Sequence, residues 1–345
     1  MAAKFTSMVG ALARRRLSLL LILLFGLSSA AVFLYAWDPP AATLHAQIPG
    51  LADPSLRLDK LAIPRGEVLS GGVTKDGIPA ISRPAMIAAD EARYLRPGDR
   101  VIGVVLSEEA RAYPLKVLGQ HEIVNDRVAS VPVAVTYCPL CDSVALFDRR
   151  VGDKTYEFGV SGLLYNSNVL MYDRGDQGGG LWSQLMARGV SGATSGASLK
   201  PLPLELTTWS DWRGRHPRTL VLAIEANSER RYDNDPYRNY FATPKLMFPA
   251  RPSSSRLPAK QRVLGVWTDG AARAYPLSAL AKTEGPLSEQ IDGKELTIVF
   301  NPKAKSARVE RADDGIHWAY SFWFAWYAFH PKTEVFGLAE GQSRQ

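Results

Sequence analysis

The chain has 345 residues, 46% of them hydrophobic and 22% charged, with a formal net charge of +7 and two cysteines. That length suggests about two domains with ample core, and the composition excludes a disordered chain. The charge excess is modest and shows no long basic block or aromatic-basic stripe, which excludes nucleic acid as a partner.

Lys4, Arg14, Arg15 and Arg16 precede an uncharged run over 17–37. As a helix rising about 1.5 Å per residue this run spans roughly 30 Å, one bilayer crossing. The order of charges places a cytoplasmic tail (1–16) inside the plasma (inner) membrane and the body on the extracytoplasmic side. Ser28, Ser29 and Ala30 would suit signal peptidase, but the apolar run continues through 32–35, which favours an uncleaved single-pass anchor over a signal peptide. Residues 38–96, rich in proline and polar side chains, read as a tether and lead-in.

The body then repeats itself. Arg100-Val101-Ile102-Gly103-Val104 and Ala110-Arg111-Ala112-Tyr113-Pro114-Leu115 return, at constant spacing, as Arg262-Val263-Leu264-Gly265-Val266 and Ala272-Arg273-Ala274-Tyr275-Pro276-Leu277. Each predicts a hairpin running into a short helix. A second echo sets Trp209, Trp212, His216 and Thr219 against Trp323, Trp326, His330 and Thr333; the Trp, Trp, His spacing is one helical face, ended by the following proline. The expected fold is α+β and β-rich. It is a tandem duplication of a hairpin-helix-strand unit, copy one at 97–225 with a long β insert, copy two at 260–338, and one N-terminal transmembrane helix. The linker at 226–259 carries Tyr237, Tyr240, Phe241 and Phe248, which predict that it packs on the body, and 339–345 is a tail.

Aligning the copies sorts residues: those kept in both read as scaffold, those in one as function. Asn301 falls opposite Cys138 and Ala304 opposite Cys141, with the intervening proline retained, so copy two has lost both sulfurs. Apolar residues alternate at Val131, Val133, Val135 and Tyr137 and resume at Val144 and Leu146, which puts the cysteine pair in a turn between strands. Three readings of Cys138 and Cys141 stay open. They could hold a thiophilic metal such as Zn(II) or Cu(I), with His121, Met171, Met186 or a second subunit completing the site, since one chain cannot supply four cysteines. They could cycle through a small, reducible disulfide. They could also only staple a turn.

The copy-one insert adds Tyr165, Asn166, Asp173, Trp182 and Gln184, a polar and aromatic set of the kind that lines a pocket, although each taken singly reads as a core or turn residue. The stretch Gly159-Val160-Ser161-Gly162-Leu163 has leucine where a serine-hydrolase elbow needs glycine, and His216 and His330 read as buried or capping residues. Together these predict a membrane-anchored extracytoplasmic protein with a Cys-Pro-Leu-Cys site for soft-metal binding or thiol-disulfide redox chemistry. The rival is a non-enzymatic interaction or scaffold domain with a structural cysteine pair. Neither reading identifies a protein or small-molecule partner.

Tyr137-Cys138-Pro139-Leu140-Cys141, the run from Phe158 to Ser167, Met171-Tyr172-Asp173-Arg174, Leu181-Trp182-Ser183-Gln184, Thr208-Trp209-Ser210-Asp211-Trp212 and His216-Pro217-Arg218-Thr219 occur in one order. In these motifs the chain resembles a bacterial and archaeal family catalogued as domain of unknown function 3179, over about 61 to 338. The resemblance implies no activity or ligand. It departs from the family pattern at 175–180, where the turn before Trp182 is longer.

Overall fold

The computed structural model describes residues 53–175, 178–225 and 228–338. In chain order the elements that matter here are β1 (Arg100–Leu106), β2 (Glu109–Pro114), β3 (Ile123–Val128), β4 (Val131–Cys138), β5 (Ser143–Asp148), β6 (Phe158–Tyr165), β7 (Asn168–Asp173), β8 (Leu181–Ser183), β9 (Glu205–Thr208) and α1 (Trp209–Arg215). They are followed by α2 (Glu229–Asp233), α3 (Arg238–Phe241), β10 (Arg262–Trp267), β11 (Ala272–Pro276), β12 (Lys294–Asn301), β13 (Ser306–Ala312), β14 (His317–Phe322) and α4 (Trp323–Phe329).

The expectation of an α+β fold is corrected. About 13% of the structure is helical, and no helix among the described residues exceeds the seven residues of α1 and α4. The helical face read from the two tryptophans and the histidine is there, but each helix stops at the histidine, because the next residue is a proline. Helices therefore cap strand ends and form no layer of their own. The predicted transmembrane helix at 17–37 lies outside the described residues, and among those described no helix is long and apolar enough to cross a membrane.

The largest sheet runs β3-β4-β5-β14-β10-β11, with short strands at either end. The cysteine hairpin β4-β5 thus shares a sheet with the hairpin β10-β11 of the second repeat, joined through β14 where Tyr320 pairs with Val144. A second sheet has β1-β2 with β9, a third has the insert strands β6-β7-β8, and a fourth holds β12-β13. The alternation along β4 is correct in phase, but both faces are covered. Val133, Val135 and Tyr137 enter the main core, whereas Ala134 on the other face joins Ala145, Phe147, Phe158, Met171 and Trp182 beneath the insert sheet. The insert therefore seals what would otherwise be the wet side of the cysteine hairpin.

The repeated residues build the same local unit twice. A Cβ on Gly103 would stand 2.2 Å from the Trp212 ring, and one on Gly265 the same distance from Trp326, so each indole lies directly on a strand backbone. Each indole N–H donates to a threonine, Trp212 to Thr219 and Trp326 to Thr333, both at 3.0 Å. His216 and His330 cover the rings with centroids 4.1 and 3.9 Å away. Burial holds the His330 imidazole down to about 4. These histidines are lids on tryptophan rather than ligands.

Filling either glycine must displace a fully buried indole, and overpacking a dense core typically costs about 1–3 kcal/mol. Gly265→Ala is expected to lower the unfolding free energy measured in urea by that amount; an unchanged unfolding free energy would show that Trp326 is free to move aside.

Candidate functional site

Strand β4 ends at Cys138 and β5 begins at Ser143, its direct partner. The turn between them closes with the Cys141 N–H on the Cys138 carbonyl (3.2 Å) and the Asp142 N–H on that of Pro139 (3.3 Å). Asp142 takes the left-handed conformation, φ 46°, that reverses the chain. Both cysteines are free thiols, 1% and 0% exposed. Their sulfurs face one acceptor from the insert, the Ser167 carbonyl, at 3.7 Å from Cys138 and 3.1 Å from Cys141. Ser167 and its neighbour Asn166 hold positive φ values of 61° and 52° in the two-residue turn joining β6 to β7, the conformation such tight hairpins require.

The two thiols differ. Burial pushes the Cys138 thiol up, but hydrogen bonds from the Cys141 thiol and the backbone N–H groups of Cys141, Val169 and Leu140 outweigh it, and the group falls below the ordinary cysteine range. For Cys141 burial and the neighbouring Cys138 act together and push it well up. The first cysteine is the one poised to carry the negative charge.

Glu122 is a third ionisable group at this site. It precedes β3 with a positive φ of 57°, its carbonyl accepts the Tyr137 N–H (2.8 Å), and its side chain is buried and makes no hydrogen bond among the described residues. Burial, and then the charge on Cys138, raise its carboxyl well above the usual range.

Asp142 is equally buried but answered twice. Its carboxylate accepts from Arg100 Nη1 at 2.9 Å and from Arg262 Nε at 2.6 Å, one arginine from the start of each repeat. The Tyr137 hydroxyl donates to the same carboxylate at 3.1 Å. Burial alone would raise Asp142; the two guanidinium groups overcome it and hold the carboxyl below 3.8.

The insert residues divide between two places. Gln184 is buried beside the thiol turn, where Oε1 accepts from Ser143 Oγ (2.6 Å) and Asn168 Nδ2 (2.8 Å) and Nε2 donates to Thr136 (2.9 Å). Asn166 Oδ1 receives the Arg251 N–H (2.9 Å) and so ties the turn to the segment that follows α3. Tyr165, at the end of β6, stands edge-on to Phe329. Asp173 and Trp182 lie elsewhere, in a closed pair where the indole donates to the carboxylate at 2.8 Å, so the five do not line one pocket. Of the possible extra ligands, His121 bridges the Pro79 carbonyl and the Tyr232 hydroxyl, Met171 is under the insert sheet and Met186 packs against the Leu56 cluster. Among the described residues no group of three or more His, Cys, Asp and Glu is placed to hold a metal ion.

A cover lies over the thiols. The Tyr240 hydroxyl donates to the Leu140 carbonyl (2.8 Å), Ser167 Oγ donates to that of Phe248 (2.6 Å), and Tyr237, Phe241 and Phe248 pack against the cluster that contains both sulfurs. Sequence reasoning missed Glu122, Asp142, Arg100 and Arg262. The two arginines were visible in the repeat, but a residue kept in both copies was counted as scaffold.

Removing the Asp142 charge leaves Arg100 and the half-exposed Arg262 unanswered; breaking a fully buried pair costs about 3–5 kcal/mol, and solvent at both arginines discounts that. Asp142→Asn is expected to lose about 1–3 kcal/mol by urea denaturation at pH 7. Because the folded carboxyl is depressed, its contribution is present above 3.8 and is lost as pH falls through the lower folded value. The gap between wild type and variant must therefore close in acid, and a constant gap would refute the pairing. Glu122 has the opposite sign. Its folded value is raised, so its contribution is intact below 4.5 and drains away as pH climbs toward that raised value. Glu122→Gln should gain more stability, relative to wild type, at pH 8 than at pH 5, and equal gains at both would refute a buried, unpaired carboxyl.

The family described as Protein of unknown function (DUF3179) matches residues 75–319, which include the cysteine hairpin, the insert and most of the second repeat. No curated protein and no solved structure matches the chain. On the family match, this chain belongs to the DUF3179 family.

Proposed function

We propose that Cys138 and Cys141 are a thiol-disulfide redox pair, with Cys138 the attacking sulfur and Cys141 the resolving one. The supporting observation is that two free sulfurs on one turn converge on a single carbonyl oxygen, with backbone N–H groups gathered at only the first of them. In the reaction the Cys138 thiolate attacks a disulfide of a partner and releases one partner thiolate. Cys141 then gives up its proton and attacks Cys138, which frees the second partner thiolate and leaves Cys138 and Cys141 bonded. Two electrons pass from the pair to the partner, and the partner's two sulfurs leave as thiols once protonated. Closing the bond within the pair needs little motion, whereas meeting a partner needs the cover around Tyr240 and Phe248 to part.

We also place this body outside the cytoplasm on the order of basic and apolar residues before 38, a setting in which disulfides persist. Soft-metal binding has less support, because the donor set offers two thiolates and a carbonyl and no further His, Cys, Asp or Glu cluster among the described residues. The burial of both sulfurs in an apolar cluster favours a second reading, a non-enzymatic interaction domain whose thiols fill the core.

Equilibration in glutathione buffers, followed by alkylation and intact-mass measurement, separates the two. A functional pair is expected to oxidise reversibly at a potential above about −300 mV, the range in which structural disulfides fall below. The Cys141→Ser protein should then hold a stable glutathione adduct on Cys138, and the Cys138→Ser protein should not. Thiols that stay reduced in folded protein under oxidised glutathione would leave only the core-filling reading.

A further inference from the structure

Asp142 also lines a cavity of about 220 Å³, which neither cysteine borders, where the two repeats face each other. Its walls come from matching positions of the two. Arg100 and Arg262 open β1 and β10, and Thr207 and Ser321 close to the ends of β9 and β14 are two residues before the repeated tryptophans. Asp142 and Lys305, each directly after the positions that align as Cys141 and Ala304, are both left-handed, with φ of 46° and 50°. Where a strict repeat would give two acids or two bases, this chain puts an acid and a lysine, and the cavity is left with three cations against one carboxylate.

That carboxylate is already used. Asp142 takes one nitrogen from each arginine, and the remaining guanidinium N–H groups and Lys305 Nζ have no hydrogen-bond partner among the described residues. Asp235 also acts on Arg100 through its charge but does not line the cavity, and Asp211, held by Thr207, Arg215 and Asn301, does not line it either. Donors without acceptors, gathered at a half-open recess where Arg262 and Lys305 still meet solvent, offer an oxyanion charge-assisted hydrogen bonds from three directions. Arg262, Leu277 and Lys305 also border a wider cleft of about 590 Å³, whose wall includes Phe241, Phe300 and Phe322 and no acidic residue.

We propose that this cavity binds a small organic oxyanion, a carboxylate or phosphate monoester, with the charged head between Arg100, Arg262 and Lys305 and an apolar body against the three phenylalanines. The site is separate from the thiol chemistry and stands whether or not the cysteines cycle.

Titration calorimetry on the purified chain with phenyl phosphate, benzoate, inorganic phosphate and benzylamine tests it. Phenyl phosphate or benzoate should bind saturably, phenyl phosphate at least tenfold more tightly than inorganic phosphate, and benzylamine not at all. Lys305→Gln, an exposed residue whose loss leaves the Asp142 pairs in place, should weaken binding about tenfold with an unchanged melting temperature; Arg262→Gln should weaken it further. Absence of saturable binding by both aromatic anions at millimolar concentration, or unchanged affinity in Lys305→Gln, would overturn the proposal. Equal affinity for phenyl phosphate and inorganic phosphate would overturn the apolar half of it.

Discussion

The arrangement depends on one buried carboxylate. Asp142 terminates the cysteine turn, and the guanidinium groups that neutralise it come from the first strand of each repeat. Exchange of both arginines for apolar residues would leave a bare carboxylate in the interior, whereas loss of the aspartate would leave two guanidinium groups that still reach solvent. Such a network is a poor source of net stability, since desolvation consumes most of the attraction, but it permits only one register between the parts it joins. The turn that carries the sulfurs is thereby fixed against both halves of the molecule at once.

The sulfurs themselves occupy a dry place. Above them lies the segment with Tyr240 and Phe248, and beside them the hairpin turn of the insert, whose Ser167 carbonyl is their common acceptor. Two buried acids flank the turn and shift in opposite directions: the arginines favour the charged form of Asp142, and burial favours the neutral form of Glu122.

Much of the strand plan was legible in the sequence because it follows local rules. The phase of Val131, Val133, Val135 and Tyr137 was right, the cysteines do lie between two strands, and the pairing of Trp212 and Trp326 with a histidine four residues on was readable as a helix face. What the sequence hid is tertiary. That β4 would be covered on both faces depends on the insert folding back over Ala134 and Phe147, which no periodicity records. The role of Arg100 and Arg262 was concealed by repetition itself, for two equal residues meeting at one acid look, in an alignment, like two scaffold positions. The short helices after each hairpin and before each His-Pro are where the spacing put them, but they are single turns or pairs of turns, too short to make the helical part of an α+β fold.

The joining of β5 to β14 has a consequence for association with other chains. A sheet edge that bares its amides beside an apolar hairpin invites a foreign strand. Here that side of β5 is occupied twice, by Tyr320 of β14 at Val144 and by Lys200 and Pro201 at Asp148 and Phe147, so the strand that follows the cysteine turn is closed to pairing from outside.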